Sequence, residues 1–418
     1  MANQIDFNQS PSYRMHIDLN SCFATIEQQA NPLLRGKPIA VAAYASPGGC
    51  ILAPSIEAKT FGIKTGMRVF EGKKLYPKLI VLPPDPWKYR QVHLALRKIL
   101  SAYTPNFHPK SIDEFALNLK GMPALKSMTM FDIANKIKKR IKNEIGEWLT
   151  VSVGLAPNRF LAKTAAGLHK PDGLDEINHK NFWQVYSTLS LPDLCGIASH
   201  NTIRLSSIGI YTVQDFYQAS IRTLKIAFSS IAGYYWYLRL RGYEIDDMEF
   251  ARRSYGNSYA LPAGRQAFQT SKELAPILAK LTHKATTRLR AAGYKATGVH
   301  LARSYRDGSF WHEARTAEKI LYDTRDFYKL AARLLLRSPS KPTRELAVSC
   351  FGIIKDSPLQ LDLFSDEVKK ASLVESIDKA NTRWGHYTLT QARMIDTSTA
   401  VPDRIAFGGV KELEEFLQ

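Results

Sequence analysis

Three features of the 418-residue sequence predict an α+β fold. Short alternating strands are interleaved with helices of 3.6-residue period, one stretch after residue 251 reads β-α-β-β-α-β, and 45% hydrophobic with 23% charged residues is ordinary for a packed globular chain. The first strand covers Tyr13 to Leu19, and a helical run from Ser21 to Gln29 stops at Asn31-Pro32. A second strand, Pro38 to Tyr44, turns through Ser46-Pro47-Gly48-Gly49 into Cys50 to Ala53, followed by a helix from Ser55 to Phe61 that ends at Gly62. Val92, Leu96, Ile99 and Leu100 place a helix over Tyr89 to Tyr103. Strands are expected at Asn106 to Ser111, Glu114 to Leu119 and Leu149 to Leu155. Between the last two, Ile133, Ile137, Ile141 and Ile145 form one stripe of a helix from Met128 to Ile145, with lysines opposite. The segment from Asn181 to Tyr243 reads as mostly helical, and Arg241 to Glu249 as a linker.

The β-α-β-β-α-β stretch comprises strand Arg252 to Leu261, helix Ser271 to Ala292, strand Tyr294 to Tyr305, strand Ser309 to Arg315, helix Ala317 to Leu336 and strand Arg344 to Ile354. Beyond it, a helix from Asp366 to Ala380 and a short strand from Tyr387 to Met394 are expected.

With 57 Lys plus Arg against 38 Asp plus Glu the chain has a formal charge of +19, and residues 249–355 hold 20 of those cations against 8 acids. This segment is therefore the candidate DNA-facing surface, the alternative being a solvated basic face. No stretch reaches the roughly 18 apolar residues of a membrane helix. The polar Met1 to Tyr13 lacks the layout of a secretory leader, so no membrane partner and a cytoplasmic location are expected. Cys22, Cys50, Cys195 and Cys350 lie far apart without a Cys-x-x-Cys pair, which disfavours a disulfide framework or structural zinc.

Asp18 ends the first strand, and Ser111-Ile112-Asp113-Glu114 sets two adjacent carboxylates near a hairpin. Small carboxylate clusters suit hard divalent cations such as Mg²⁺, which keep open positions for substrate phosphates. Successive strand residues face opposite ways, so Asp113 and Glu114 can serve one centre only where a bend re-aims them. Read on their own, the three acids also fit unrelated surface groups or caps.

The segments Asp18-Leu19-Asn20-Ser21-Cys22-Phe23-Ala24-Thr25-Ile26-Glu27, Glu57-Ala58-Lys59-Thr60-Phe61-Gly62, Ser111-Ile112-Asp113-Glu114, Ala162-Lys163 and Lys170-Pro171-Asp172-Gly173 together resemble the ordered signature of Y-family translesion DNA polymerases. The resemblance implies a right-hand architecture: palm over 1–22 and 84–177, fingers 23–83, thumb 178–240, linker 241–250, little finger 251–355 and a tail 356–418. It implies Asp18, Asp113, Glu114 and the Leu19 carbonyl as ligands of two Mg²⁺ ions. It further implies Phe23 as a steric gate against the ribose 2′-hydroxyl, Lys59 and Lys170 as triphosphate contacts, and Arg252, Arg253 and Ser254 as contacts to the template backbone. The expected reaction is attack of a primer 3′-hydroxyl on the α-phosphate of a dNTP, with primer–template DNA as partner.

Ile56 and Lys59 stand where many members carry Tyr and Arg, so a bidentate phosphate contact becomes a single ammonium or is lost. Asn20 replaces a common Asp. These departures resemble the branch containing the catalytic subunit of bacterial polymerase V. Gly196-Ile197-Ala198-Ser199 through Ile208-Gly209-Ile210 resembles a helix-hairpin-helix, and Gln360, Leu361, Asp362, Leu363 and Phe364 resemble the pentapeptide that binds the bacterial sliding clamp. Two other readings fit parts of the pattern: a polymerase-like accessory that binds DNA and clamp without catalysis, and a nucleotidyl cyclase, for which the basic segment and clamp-like peptide have no use.

Overall fold

The computed structural model describes residues 5–246, 252–262, 268–355, 367–398 and 400–402. They form two compact units, one of the residues up to 246 and one of those from 252 onward. The fold is mixed α+β in both.

In chain order the first unit comprises β1 (Arg14–Leu19), α1 (Cys22–Ala30), β2 (Ile39–Ala42), β3 (Ile51–Pro54), α2 (Ile56–Thr60), α3 (Val69–Leu75), β4 (Ile80–Leu82), α4 (Pro86–Ser101), β5 (Phe107–Pro109), β6 (Glu114–Asn118), α5 (Met130–Glu144), β7 (Val151–Ala156), α6 (Arg159–Ala165) and β8 (Leu174–Glu176). Five further helices follow: α7 (Phe182–Thr188), α8 (Ser199–Ser206), α9 (Val213–Gln218), α10 (Ile221–Phe228) and α11 (Ala232–Leu240).

The main sheet has the order β5-β6-β1-β7-β8, so β1 lies at its centre between two antiparallel neighbours. Met15, Ile17 and Leu19 of β1 enter a core completed by Leu96 and Ile99 of α4 and by Ile133, Ile137 and Ile141 of α5. The period of two then sends His16 and Asp18 to the opposite face. Pro86 at the first helical position and Asp85, whose side chain accepts from the Trp87 and Lys88 amides, start α4; a Thr129–Asp132 capping box starts α5. A smaller sheet, β3-β2-β4, packs Ala40, Ala42 and Ile51 against Ala58, Val69 and Leu79, and Ser55 caps α2 through the Ala58 amide.

The second unit contains β9 (Ser254–Ala260), α12 (Ser271–Ala291), β10 (Tyr294–Tyr305), β11 (Phe310–Leu321), α13 (Thr324–Arg337), β12 (Thr343–Lys355) and α14 (Glu367–Trp384). Its antiparallel sheet, β11-β10-β12-β9, is the expected β-α-β-β-α-β arrangement, with Leu278, Leu281, Phe327 and Leu334 of the helices packed on Val299, Leu301, Leu346 and Val348. Along β9, buried Tyr255 and Tyr259 alternate with exposed Ser254, Gly256, Ser258 and Ala260, so the second face of the sheet is open within this unit.

Two expectations are corrected. Residues 317–321 continue β11 instead of opening a helix, because Thr316 and Leu321 pair with Gly298 and Ala296 of β10; the helix waits for Asp323, whose side chain accepts from the Arg325 amide. The strand expected at Tyr387 to Met394 is absent. Gly385 at φ +109° ends α14, the Asn381 amide bonds both backbone groups of Leu389, and a 3-10 turn covers Ala392–Thr397. Described residues of the tail pack within the second unit: Arg290 of α12 grips Asp378 of α14 at 2.6 Å, and Lys280 donates to the carbonyls of Thr397 and Ala400.

Candidate active site

Asp18 and Glu114 face each other across the β1–β6 pairing, on the side of the sheet opposite the core. Asp113 lies in a bend just before β6, where its carbonyl accepts from the Leu19 amide at 3.0 Å and its carboxylate accepts from Ser111 Oγ. The bend does not turn the two adjacent acids into one cavity: Asp113 and Asp18 line one of about 500 Å³, and Glu114 lines a second of about 500 Å³. His93, buried beneath, fixes the bend. Its Nδ1 lies 2.8 Å from the Ile112 carbonyl and so donates the proton, while its ring stacks on Phe115.

The first cavity is also lined by Leu19, Asn20, Cys22, Ile56, Lys59 and Lys170. Lys170 Nζ is 2.6 Å from Asp18 Oδ2. The Lys59 pKa is lowered, first by partial desolvation and then by the charge of Lys170, so the two ammonium groups address the same space. The second cavity contains His16, Arg159, Lys163 and Arg239 beside Glu114. There Lys163 of α6 reaches Glu114 at 2.6 Å; burial acts to lower its pKa, but the hydrogen bond and charge of Glu114 outweigh it. Gly154 of β7 lets α6 come this close, since a Cβ there would lie 2.0 Å from the Ala162 carbonyl oxygen.

Burial pushes the Asp113 carboxyl up to about 6 against the opposing Ser111 hydrogen bond, with the charges of Asp18 and Glu114 adding to the rise. The charges of Asp18 and Glu114 are met by Lys170 and Lys163, while Asp113 has no cationic partner among the described contacts, and a buried nitrogen, His16 Nε2, has no hydrogen-bond partner. The Asp18, Asp113 and Glu114 carboxylates are the donor set that suits a hard divalent cation. His16, Asp18 and Glu114 each offer a ligand atom within 4.8 Å of the others, a grouping in which the sequence had placed Asp113 instead of His16.

Phe23 is 1% exposed and stacks on Tyr89 with ring centroids 4.2 Å apart; Cys22, its neighbour in the chain, lines the cavity and Phe23 does not. Tyr89 OH donates to Glu27 at 3.0 Å and Lys88 pairs with the same carboxylate at 2.7 Å, so the ring rests on a fixed support. Asn20 has a role that sequence reading missed. Its side chain donates to Ser152 Oγ and accepts from Thr150 Oγ1 and from the Asp172 amide, tying the turn after Lys170 to the end of β1. His16 was legible in one respect, as the residue two before Asp18 on a strand.

Of the backbone-contact residues, Arg252 and Arg253 precede β9 and only Ser254 belongs to it, which corrects their placement inside the strand. Arg252 lies over the Tyr255 ring at 3.7 Å. Gly196 at φ +94° leads into α8, but a three-residue 3-10 turn, Leu191–Asp193, stands where a helix-hairpin-helix needs its first helix. The clamp-like Gln360, Leu361, Leu363 and Phe364 lie outside the described residues.

Comparison with known proteins fits this geometry. The impB/mucB/samB family matches residues 17–167 and that family's C-terminal domain matches residues 252–363. The chain belongs to this family, the Y-family DNA polymerases. It is 32% identical over 394 residues to DNA polymerase IV of Pelotomaculum thermopropionicum, covering 93% of this chain and 96% of that protein. It is 31% identical to DNA polymerase IV of Moorella thermoacetica, covering 90% and 94%. A solved Y-family DNA polymerase chimera of Dbh and Dpo4 shares the fold, with a TM-score of 0.72 and 24% identity over 82% of this chain and 99% of that one. The polymerase is accordingly a DNA polymerase of the translesion type. None of the described helices is long and apolar enough to cross a membrane.

Proposed function

We propose that the polymerase adds dNTPs to a primer 3′-hydroxyl on damaged templates, with Asp18, Asp113, Glu114 and the Leu19 carbonyl holding two Mg²⁺ ions. The observation that carries this reading is the convergence of Asp18, Asp113, Lys59 and Lys170 on one cavity at the end of β1. When bound, the ions supply activation of the attacking hydroxyl and stabilisation of the leaving pyrophosphate. The residues themselves bind and orient. Lys59 and Lys170 meet the triphosphate as two point charges, Lys170 exchanging its carboxylate partner Asp18 for phosphate. Phe23, backed by Tyr89, is the gate against the ribose 2′-hydroxyl, its ring coming within reach of the sugar only when the bound nucleotide opens the cavity wall beside Cys22.

In the same reading the five-stranded sheet with its helices is the palm, the three-stranded sheet with α2 and α3 the fingers, α7 to α11 the thumb, and the second unit the little finger. Arg252, Arg253 and Ser254 hold template phosphates without reading sequence. Gln360, Leu361, Leu363 and Phe364 dock on the sliding clamp, and the enzyme acts in the cytoplasm. Asn20 and Lys59 support a place in the branch with the polymerase V catalytic subunit, while the relatives reported above are named DNA polymerase IV.

Single-nucleotide insertion on a primed template tests the assignment. The expected result is template-dictated dNTP insertion, with ribonucleotides admitted by Phe23→Ala; binding of primer–template without insertion under Mg²⁺ or Mn²⁺ favours the accessory reading instead.

A further inference from the structure

The sheet of the second unit carries two histidines side by side on its open face. Half-buried His300 of β10 lies between Val299 and Leu301, which enter the core, so its ring stands on the opposite side, where exposed His312 of β11 also stands. His312 pairs with Ala302, two residues along from His300, and diagonal neighbours of this kind are within reach of long side chains. His300 Nε2 and His312 Nδ1 are 3.3 Å apart, and the ring centroids 5.4 Å. With no ion present one ring donates its N–H to the other, at a length that is long for a hydrogen bond. The same spacing matches chelation, because two nitrogens each about 2.0–2.1 Å from one tetrahedral ion are about 3.3–3.4 Å from each other. The neighbours leave room for an ion and for further ligands on it: Ser349 and Ala314 flank His300, and Ala302 and Ala347 continue the row of His312. In the four cross-strand rows through Gly298, His300, Ala302 and Ser304 there is no Lys or Arg, and Glu345 is the one acid, so no fixed cation in those rows repels an incoming one. Burial, and after it the charge of His312, holds the His300 pKa below its ordinary value, which keeps that ring neutral and its lone pair available at neutral pH.

We propose that His300 Nε2 and His312 Nδ1 together bind a divalent first-row transition cation, of the class of Zn²⁺, Ni²⁺ and Cu²⁺, on the open face of this sheet. A pair of imidazoles suits these ions, whereas Mg²⁺ prefers oxygen ligands and is not held. Binding needs both facing nitrogens bare, so each ring carries its single proton on its other nitrogen, a change of tautomer without a change of charge. Two protein ligands leave positions on the ion for water or for a donor atom brought by a bound molecule. The site lies in a different unit from the Asp18 carboxylates and offers nitrogen where they offer oxygen. It goes beyond the polymerase reading and does not rest on it.

The test titrates the full chain with Zn²⁺ by calorimetry in excess Mg²⁺, which occupies oxygen-ligand sites. The parent is expected to bind a Zn²⁺ ion whose affinity falls by about tenfold or more in His300→Gln and in His312→Gln, because even residues that only support a metal ligand carry that much. The double variant should lose much less than the two losses combined, since the pair acts as a unit. A second arm starts from unmutated protein: pulsed EPR with less than one equivalent of Cu²⁺ should show coupling to two histidines that changes from the ¹⁴N to the ¹⁵N pattern when histidine is ¹⁵N-labelled, and to at most one in His312→Gln. His312 is exposed, so its replacement is expected to leave the circular dichroism spectrum unchanged, and the EPR of the parent stands even if a variant folds poorly. No Zn²⁺ bound by the parent, or parental Zn²⁺ affinity in either single variant, overturns the proposal, as does Cu²⁺ coupled to fewer than two histidines in the parent or to two in His312→Gln. Neither readout uses DNA or a dNTP, so the result is independent of whether the chain extends primers.

Discussion

Asn20 makes three side-chain hydrogen bonds where the family commonly has an acid, and two of its partners, Ser152 and Thr150, belong to or adjoin β7 while the third is the Asp172 amide. The substitution thus exchanges a charge near Asp18 for a neutral clasp on the turn that presents Lys170. Asn20→Ala is expected to cost on the order of 2–3 kcal/mol of stability, since buried partners lose their bonds. It should also raise the dNTP KM more than it lowers kcat; urea denaturation and steady-state insertion check the two parts. His93 gives a pH signature. Burial, with a smaller contribution from Arg97, holds its pKa down at about 4 against the raising effect of the Ile112 carbonyl. Between about pH 6.5 and 4 the unfolded chain therefore binds the extra proton and the folded one does not, so this residue's share of stability is present above 6.5 and is lost as pH falls. Denaturation midpoints at pH 7.5 and 5.0 should diverge less in His93→Gln than in the parent.

At the scale of elements, α6 lies so close to β7 that Gly154→Ala would set its methyl against the Ala162 carbonyl and the Ala166 amide. The expected cost is about 1–3 kcal/mol or more, with displacement of Lys163 from Glu114 and a loss of insertion activity that Gly154→Ser reproduces. In the second unit Asp378→Ala leaves Arg290, only 5% exposed, without its carboxylate and is expected to lower stability by about 1–3 kcal/mol, read by thermal unfolding. Most elements were legible from periodicity because their faces are buried in the regular way, as in the Ile133–Ile137–Ile141 stripe of α5. The failures occur where a partner outweighs local preference. Ala317, Glu318 and Lys319 favour a helix in isolation, yet pairing of Thr316 and Leu321 with β10 on either side holds them in β11. Motif reading likewise singled out Asp18, Asp113, Lys59 and Lys170, which line one cavity, because their order along the chain carries the signal. It missed what is settled only when strands align: His16 diagonal to Glu114, and Asn20 against Thr150 and Ser152.

For the molecule as a whole, the +19 charge and its concentration in the second unit's sequence predict DNA binding dominated by phosphate contacts. Its logarithm should fall linearly with the logarithm of salt concentration, and Arg253→Ala should reduce that slope by about 1 while affecting all sequences alike. The central claim is that the Asp18–Asp113–Glu114 cluster performs nucleotidyl transfer on DNA bound elsewhere in the chain. Primer extension and primer–template affinity measured side by side for the parent and Asp113→Ala test it most directly. The account predicts extension by the parent and none by the variant, with affinity for primer–template within about twofold in metal-free buffer, because Asp113 is not among the groups assigned to phosphate contacts. Extension by Asp113→Ala at the parental rate would contradict it.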